Sequence, residues 1–341
     1  MRRLLLTCST FGLLVAPTLH AEELKVVSTV KPVTMIVQEL TQGVTSTETL
    51  LPAGASPHDY ALRPSDVRKL NEADLVIWVG PELERFLIKV LDDKENVLTL
   101  TAQNSINFRH YGDDHDDHDD HGHDDHDGHD HDKHAHDDHD HDHDDHAHDD
   151  HDGHDHDKHA HDDHDDHHHH EGIDPHLWLG PEQAVQAAQV ITEKLISVAP
   201  ANKDIFEKNL ANFSAEVRST VAAIEQTLTP VSDRGYFVFH DAYGYFEDQF
   251  GLNNLGHFTV EPDRRPGAKT LITIRNALKD QHAACVFSEP QFSPAVVDSV
   301  ARGTGVNIGT LDPLATEIEY GQGSYVEFLN QLTQSYSQCL Q

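Results

Sequence analysis

Asp74-Leu75-Val76-Ile77-Trp78-Val79-Gly80 is the stretch that decides the fold class. Five consecutive apolar residues between an Asp and a Gly read as a short strand buried on both faces. Strands of that kind belong to a parallel sheet covered by helices on either side. Upstream, Lys25–Ser28 and Thr47–Leu51 read as two further strands, separated by a helix from about Pro32 to Leu40. Pro32 suits a first helical turn, and Pro64-Ser65-Asp66 opens a second, short helix. Downstream, Glu82 to Leu91 is predicted helical and Val97–Leu100 makes a fourth strand.

The alternation resumes beyond Trp178. A helix is predicted from Gly180 to about Val198, followed by the segment Lys203 to Leu228. There Ile205, Phe206, Leu210, Phe213, Val217, Val221, Ile224 and Leu228 recur at spacings of three and four, one amphipathic helix of about seven turns. No βα unit needs a helix so long, so it is expected to connect two lobes. Strands are predicted at Tyr236–Phe239, Leu255–Val260, Ala283–Phe287 and Val306–Leu311, with helices at about 267–281, 294–302 and 323–340. The expected fold is α/β: two lobes of parallel sheet flanked by helices, 22–201 and 230–341, joined by a linking helix 202–229, with a cleft between the lobes.

Residues 1–21 read as a secretory signal peptide. Arg2 and Arg3 precede an apolar run from Leu4 to Ala16, and Leu19-His20-Ala21 leads into Glu22-Glu23. That run is too short to span a bilayer, and Cys8 comes too early for a lipid attachment site. The mature chain is expected in the periplasm. Export leaves Cys285 and Cys339. An even pair in an oxidising compartment reads as a disulfide, with two separate buried thiols as the alternative.

The formal charge of -36 is concentrated in one segment. Asp113–Glu171 holds 26 Asp and one Glu against two Lys, so it carries -25. It also holds 24 of the 31 His, and HDGHDHDKHAHDDHD occurs at 126–140 and again at 151–165. With almost no apolar residue, segment 113–171 is expected to be a disordered loop. A solvated acidic spacer would explain the Asp but not the His; adjacent imidazoles make many weak, poorly shaped metal sites. Nothing in this balance attracts a phosphate backbone, which argues against nucleic acid as a partner.

Three histidines outside that segment fall where ligands bind in open parallel sheets, beyond the carboxyl ends of the strands. His58 follows the second strand, His176 sits in a loop before a helix, and His240 ends the strand Tyr236–Phe239. Neutral imidazole is a borderline-soft donor, and three such donors with one further ligand make an ordinary tetrahedral zinc site. Asp59, Asp174 and Asp241 lie within two residues of the three histidines and are expected to orient them, as zinc-bound imidazoles require. His257 and His282 lack this setting and are assigned structural roles.

Several stretches match one family in detail: LLPAGASPHDYALRPSDV (50–67), ADLVIWVGPELE (73–84), HLWLGPE (176–182), YFVFHDAYGYF (236–246), GHFTVEPD (256–263), CVFSEPQFSPAVVDSVARGTG (285–305) and TLDPL (310–314). Through them the sequence resembles the zinc-binding components of bacterial ABC importers, the ZnuA-type branch of the metal-specific solute-binding proteins. The resemblance implies that His58, His176 and His240 bind Zn2+ in the cleft and that the long helix links the lobes. It further implies a His-rich loop before the second ligand, pairing of Cys285 with Cys339, and an ABC transporter permease as partner. Manganese-binding relatives carry a carboxylate where His240 stands, and an imidazole there favours zinc. Some relatives carry a Glu just before the first ligand, where this chain has Pro57. The fourth zinc ligand is therefore expected to be Asp312, which matches a carboxylate ligand of the manganese-binding relatives, or a water. A monomer is expected.

An enzyme is not expected: a zinc hydrolase needs an open metal position beside a general base, and the chain has no H-E-x-x-H, G-x-S-x-G or phosphate loop. The remaining alternative is a periplasmic zinc buffer or storage protein, for which the His-rich segment alone would suffice.

Overall fold

The computed structural model describes residues 24–111, 172–259, 262, 266–280 and 283–341. The signal peptide 1–21, Cys8, the His/Asp-rich segment and His282 lie outside the described residues. The chain divides into two compact units, residues up to His110 with Ile173–Gln341, and Tyr111–Gly172. Apart from Tyr111 and Gly172, the architecture below belongs to the first.

Strands β1 (Val26–Ser28), β2 (Thr47–Thr49), β3 (Leu75–Trp78) and β4 (Val97–Thr99) form a sheet of order β2-β1-β3-β4. Every pairing in it is parallel, with Val26 opposite both Thr47 and Leu75. A two-stranded pair, β5 (His110–Tyr111) and β6 (Gly172–Ile173), follows in the chain. Strands β7 (Tyr236–His240), β8 (Asn254–Thr259), β9 (Cys285–Ser288) and β10 (Asn307–Thr310) form a second parallel sheet of order β10-β9-β7-β8. In each sheet the first strand pairs with its successor on one side and with the next on the other. The chain therefore reverses direction at β1/β3 and at β7/β9, and a crevice opens at those carboxyl ends.

The run that decided the fold class behaves as a doubly covered strand. Leu75, Ile77 and Val79 enter one core, while Val76 and Trp78 enter another on the opposite face with Leu50, Leu70 and Leu87. In β7, Tyr236 and Val238 join the first core, and Phe237 and Phe239 pack with Ile274, Leu278, Val297 and Val300. Period-two alternation between two apolar layers is what a buried strand requires.

The helices are α1 (Lys31–Thr41), α2 (Pro64–Glu72), α3 (Ile88–Leu91), α4 (Pro181–Val198), α5 (Lys203–Leu228), α6 (Gly244–Phe250), α7 (Ala268–Asp280), α8 (Ala295–Ala301) and α9 (Ser324–Leu340). The long helix α5, of 26 residues, buries Phe206, Phe213, Val217, Ile224 and Leu228. It packs against α1, α4 and α9, and one continuous core backs both sheets. Cys285 at the start of β9 is bonded to Cys339 in α9, their Cα atoms 5.7 Å apart. Gly309 of β10 leaves room for that bond: a Cβ there would lie 2.9 Å from Cys339 Sγ and 2.7 Å from the Phe287 ring.

Two expectations differ from what forms. The helix predicted over 82–91 is reduced to a 3-10 turn at Arg85–Leu87 and the single turn α3. Glu84 is turned inward, where its Oε2 accepts the backbone N–H groups of Val79 and Gly80 at 2.9 and 3.1 Å, tying the segment to the end of β3. Helix α6, not foreseen, follows β7 within four residues and stops at Gly251, whose φ of 61° lies in the left-handed region that glycine adopts freely.

Candidate metal centre

His240 is the last residue of β7, at the second sheet's reversal point. Its Nδ1 lies 2.8 and 3.0 Å from the two carboxylate oxygens of Glu289, the residue directly after β9. The reversal crevice thus holds the imidazole and the carboxylate that orients it. His176 precedes a 3-10 turn, Leu177–Leu179. Asp174 Oδ1 receives the His176 backbone N–H at 3.0 Å and lies 2.8 Å from Nδ1 of its ring. His58 comes from the loop after β2, its backbone N–H donating to Ser56 Oγ at 3.3 Å.

These elements bring the three histidines together. One ring nitrogen from each lies within 4.8 Å of the other two. Nε2 of His176 is 3.3 Å from Nε2 of His58 and 3.3 Å from Nε2 of His240. Zinc–nitrogen bonds of about 2.0–2.1 Å at tetrahedral angles separate ligand atoms by about 3.3–3.4 Å, so the spacing is that of zinc-ligand edges. The donor set points the same way. Carboxylates hold Nδ1–H on His176 and on His240, which leaves each Nε2 with its lone pair. Two lone pairs facing at 3.3 Å repel unless a proton or a cation lies between them.

His176 and His240 are 2% and 3% exposed, while His58 is only partly buried. Burial, reinforced by the neighbouring imidazoles, holds His58 and His176 well below the usual histidine pKa. Burial also pulls His240 down, but Glu289, with Asp241 and Asp174, outweighs it and the net shift is upward. Trp178, Phe292, Pro313 and Leu314 line the apolar wall of the pocket.

Of the three orienting carboxylates expected from sequence, Asp174 takes its place. Asp241 does not: it lies just past the end of β7, with its carboxylate 3.7 Å from Nδ1 of His257, and Glu289 serves His240 instead. Asp59 is exposed. Glu289 escaped the sequence reading because it is 49 residues from His240 in the chain. Its signal was its position at the end of the strand that follows the reversal.

Asp312 is not brought into the nitrogen cluster. Its carboxylate staples its own loop, accepting Gln291 Nε2 at 2.7 Å and the backbone N–H groups of Leu314 and Thr316 at 3.1 and 2.5 Å. Those two residues flank Ala315, which is buried at φ 52°, a conformation costly for any residue with a Cβ. The indole N–H of Trp178 donates to Pro313 O of the same loop at 2.8 Å.

Residues 26–339 match the family described as zinc-uptake complex component A, periplasmic: ZnuA. The chain belongs to the ZnuA family. It is 43% identical to the high-affinity zinc uptake system protein ZnuA of Yersinia pestis, over 96% of this chain and 95% of that one. The protein of the same name from Haemophilus influenzae is 44% identical, covering 100% of this chain and 99% of its own. Among solved structures, a crystal structure of ZnuA superposes with a TM-score of 0.68 at 20% identity, covering 94% of this chain and 100% of that one. A zinc-bound ZnuA lacking its residues 138–173 gives 0.68 at 19%, covering 93% and 98%. The ZnuA family consists of periplasmic solute-binding components for zinc uptake, not of enzymes. Among the described residues, no helix is long and apolar enough to cross a membrane.

Proposed function

We propose that this chain captures one Zn2+ in the periplasm through His58, His176 and His240 and passes it to the permease of an ABC importer. The observation that carries the reading is the convergence of three imidazoles, with Nε2 of His176 3.3 Å from Nε2 of both His58 and His240 and carboxylates beside Nδ1 of His176 and His240. Harder metals ask for oxygen donors, and an all-imidazole trio suits zinc. The three nitrogens fill three of four tetrahedral positions, and a water takes the fourth, since Asp312 is committed to its loop. In this reading the chain acts as a monomer whose lobes, 22–201 and 230–341, frame the site on either side of the connector 202–229. Segment 113–171 gathers zinc weakly and raises its local concentration for the tight site.

Competition of the full chain against a strong chelator should find one tight zinc site. That site should vanish when His58, His176 and His240 are all replaced by Ala, leaving the weak sites of the His-rich segment. A tight site that survived the triple replacement would overturn the assignment. Zinc uptake by cells with and without the permease separates delivery from buffering, because a storage protein would support accumulation in both.

A further inference from the structure

We infer that Arg109 is a positioning residue for the metal centre, acting on His176 through Asp174. The inference rests on the trihistidine reading above. Arg109 ends the segment just before β5, and its side chain is mostly buried. Its Nη1 lies 3.7 Å from Oδ2 of Asp174, whose side chain is fully buried, and its Nε donates to Asp248 Oδ2 at 3.1 Å. The other oxygen of Asp174 is the one that meets Nδ1 of His176. The guanidinium therefore sits behind the carboxylate that orients the ligand, and its charge offsets the cost of keeping that carboxylate ionised away from water.

The backbone is tied at the same point. Asp174 N–H donates to Arg109 O at 2.8 Å, Arg109 N–H donates to the Tyr245 hydroxyl at 3.0 Å, and that hydroxyl donates to Asp174 O at 2.7 Å. Gly244, the first residue of α6, forms the cradle. A Cβ there would lie 2.5 Å from Cζ and Nε of Arg109 and 2.6 Å from Nη1. Gly244 is four residues beyond His240, so one guanidinium spans the segments that carry two of the three ligands.

Two substitutions test this independently in the full chain. Arg109→Gln removes the charge, and Gly244→Ala pushes the guanidinium aside without altering any charge. Each should weaken the tight zinc site about tenfold in chelator competition, the lower end of what outer-sphere partners of metal ligands contribute. Arg109→Lys keeps the charge without the fork and should recover part of the loss. With less than one equivalent of Co2+, so that the tightest site fills first, both damaging variants should also change the visible d–d spectrum. Circular dichroism checks that each variant is folded. Wild-type affinity and spectrum in folded Arg109→Gln and Gly244→Ala would overturn the inference. So would a fall in melting temperature with no change in the cobalt spectrum, which a purely structural role predicts. The triple histidine replacement is the control: if it leaves the tight site intact, the trihistidine reading fails; if it removes the site while the Arg109 variants do nothing, only this inference fails.

Discussion

Replacing Glu289 by Gln isolates what the carboxylate behind His240 contributes. Glu289 is 3% exposed and presents both oxygens to Nδ1 of His240, at 2.8 and 3.0 Å. Gln keeps the volume and one acceptor but removes the charge. Outer carboxylates on metal-bound imidazoles contribute about 10–100-fold in affinity, or about 1.4–2.7 kcal/mol. Since an acceptor survives, a loss near the lower end, about tenfold, is expected at about pH 8. The pH dependence carries a sign of its own. Burial lowers the His240 pKa, but Glu289 outweighs it and holds the group above the usual histidine value. Zinc has to displace that proton, so wild-type affinity falls as pH drops through the raised pKa. Without the charge on Glu289 the pKa of His240 falls, and proton competition sets in only at lower pH. The gap between wild type and variant should therefore narrow from about pH 8 to about pH 6. Chelator competition at several pH values reads it directly. An unchanged affinity at about pH 8 in a folded variant, or a gap that widens with acid, would refute the reasoning.

The metal preference should follow His240: His240→Glu introduces a harder ligand and is expected to shift competition titrations from zinc toward manganese. Asp312→Ala should leave zinc affinity within about threefold while lowering stability by about 1–3 kcal/mol, since the Leu314 and Thr316 amides beside strained Ala315 lose their acceptor. An affinity loss of about tenfold or more would put Asp312 on the metal. Reducing the Cys285–Cys339 bond opens a loop with a sequence separation of 54, which the chain-entropy relation sets at up to about 4 kcal/mol. Thiol counting on unfolded, unreduced mature protein should find no free thiol. Deleting His115–His170 should remove the weak zinc sites in calorimetry and leave one tight site; a folded deletion that binds no zinc would refute the separation of roles.

Much of this was legible before any coordinates. The apolar run 75–79 announced a doubly covered parallel strand, and β7 and the long helix read equally well because their burial patterns repeat along the chain. The three histidines were found because strand ends in a parallel sheet are where ligands gather. What sequence could not supply was pairing across space. Adjacency suggested Asp241 for His240, yet Asp241 lies beside His257 and the partner of His240 is Glu289, just after β9. The Asp174 pairing succeeded because it lies in a loop, where two residues' separation lets the side chain turn back on the ring. Helix α6 was missed because its aromatic residues Tyr245, Phe246 and Phe250 prolong the apolar run of β7. The over-long helix at 82–91 failed for a tertiary reason, the inward turn of Glu84.

The grip on α5 has a consequence for how cargo leaves. The helix is about 39 Å long and is held against α1, α4 and α9 within one unbroken apolar layer. Swinging the two sheets apart would strip Phe206, Phe213, Val217, Ile224 and Leu228 of neighbours. Fully exposing such side chains costs about 1.5–3 kcal/mol each, so for five of them the total rivals the whole stability of an ordinary domain, about 5–15 kcal/mol. An opening wide enough to bare all five would therefore cost about as much as unfolding a domain. An opening confined to the rim of the pocket leaves that layer intact, and the three histidines differ in their access to it. His176 and His240 are sealed and braced by carboxylates, whereas His58 stands partly open on a loop. On the trihistidine proposal, release would start at His58, and a partner pulling on the Ser56–His58 loop would need to move only a few residues.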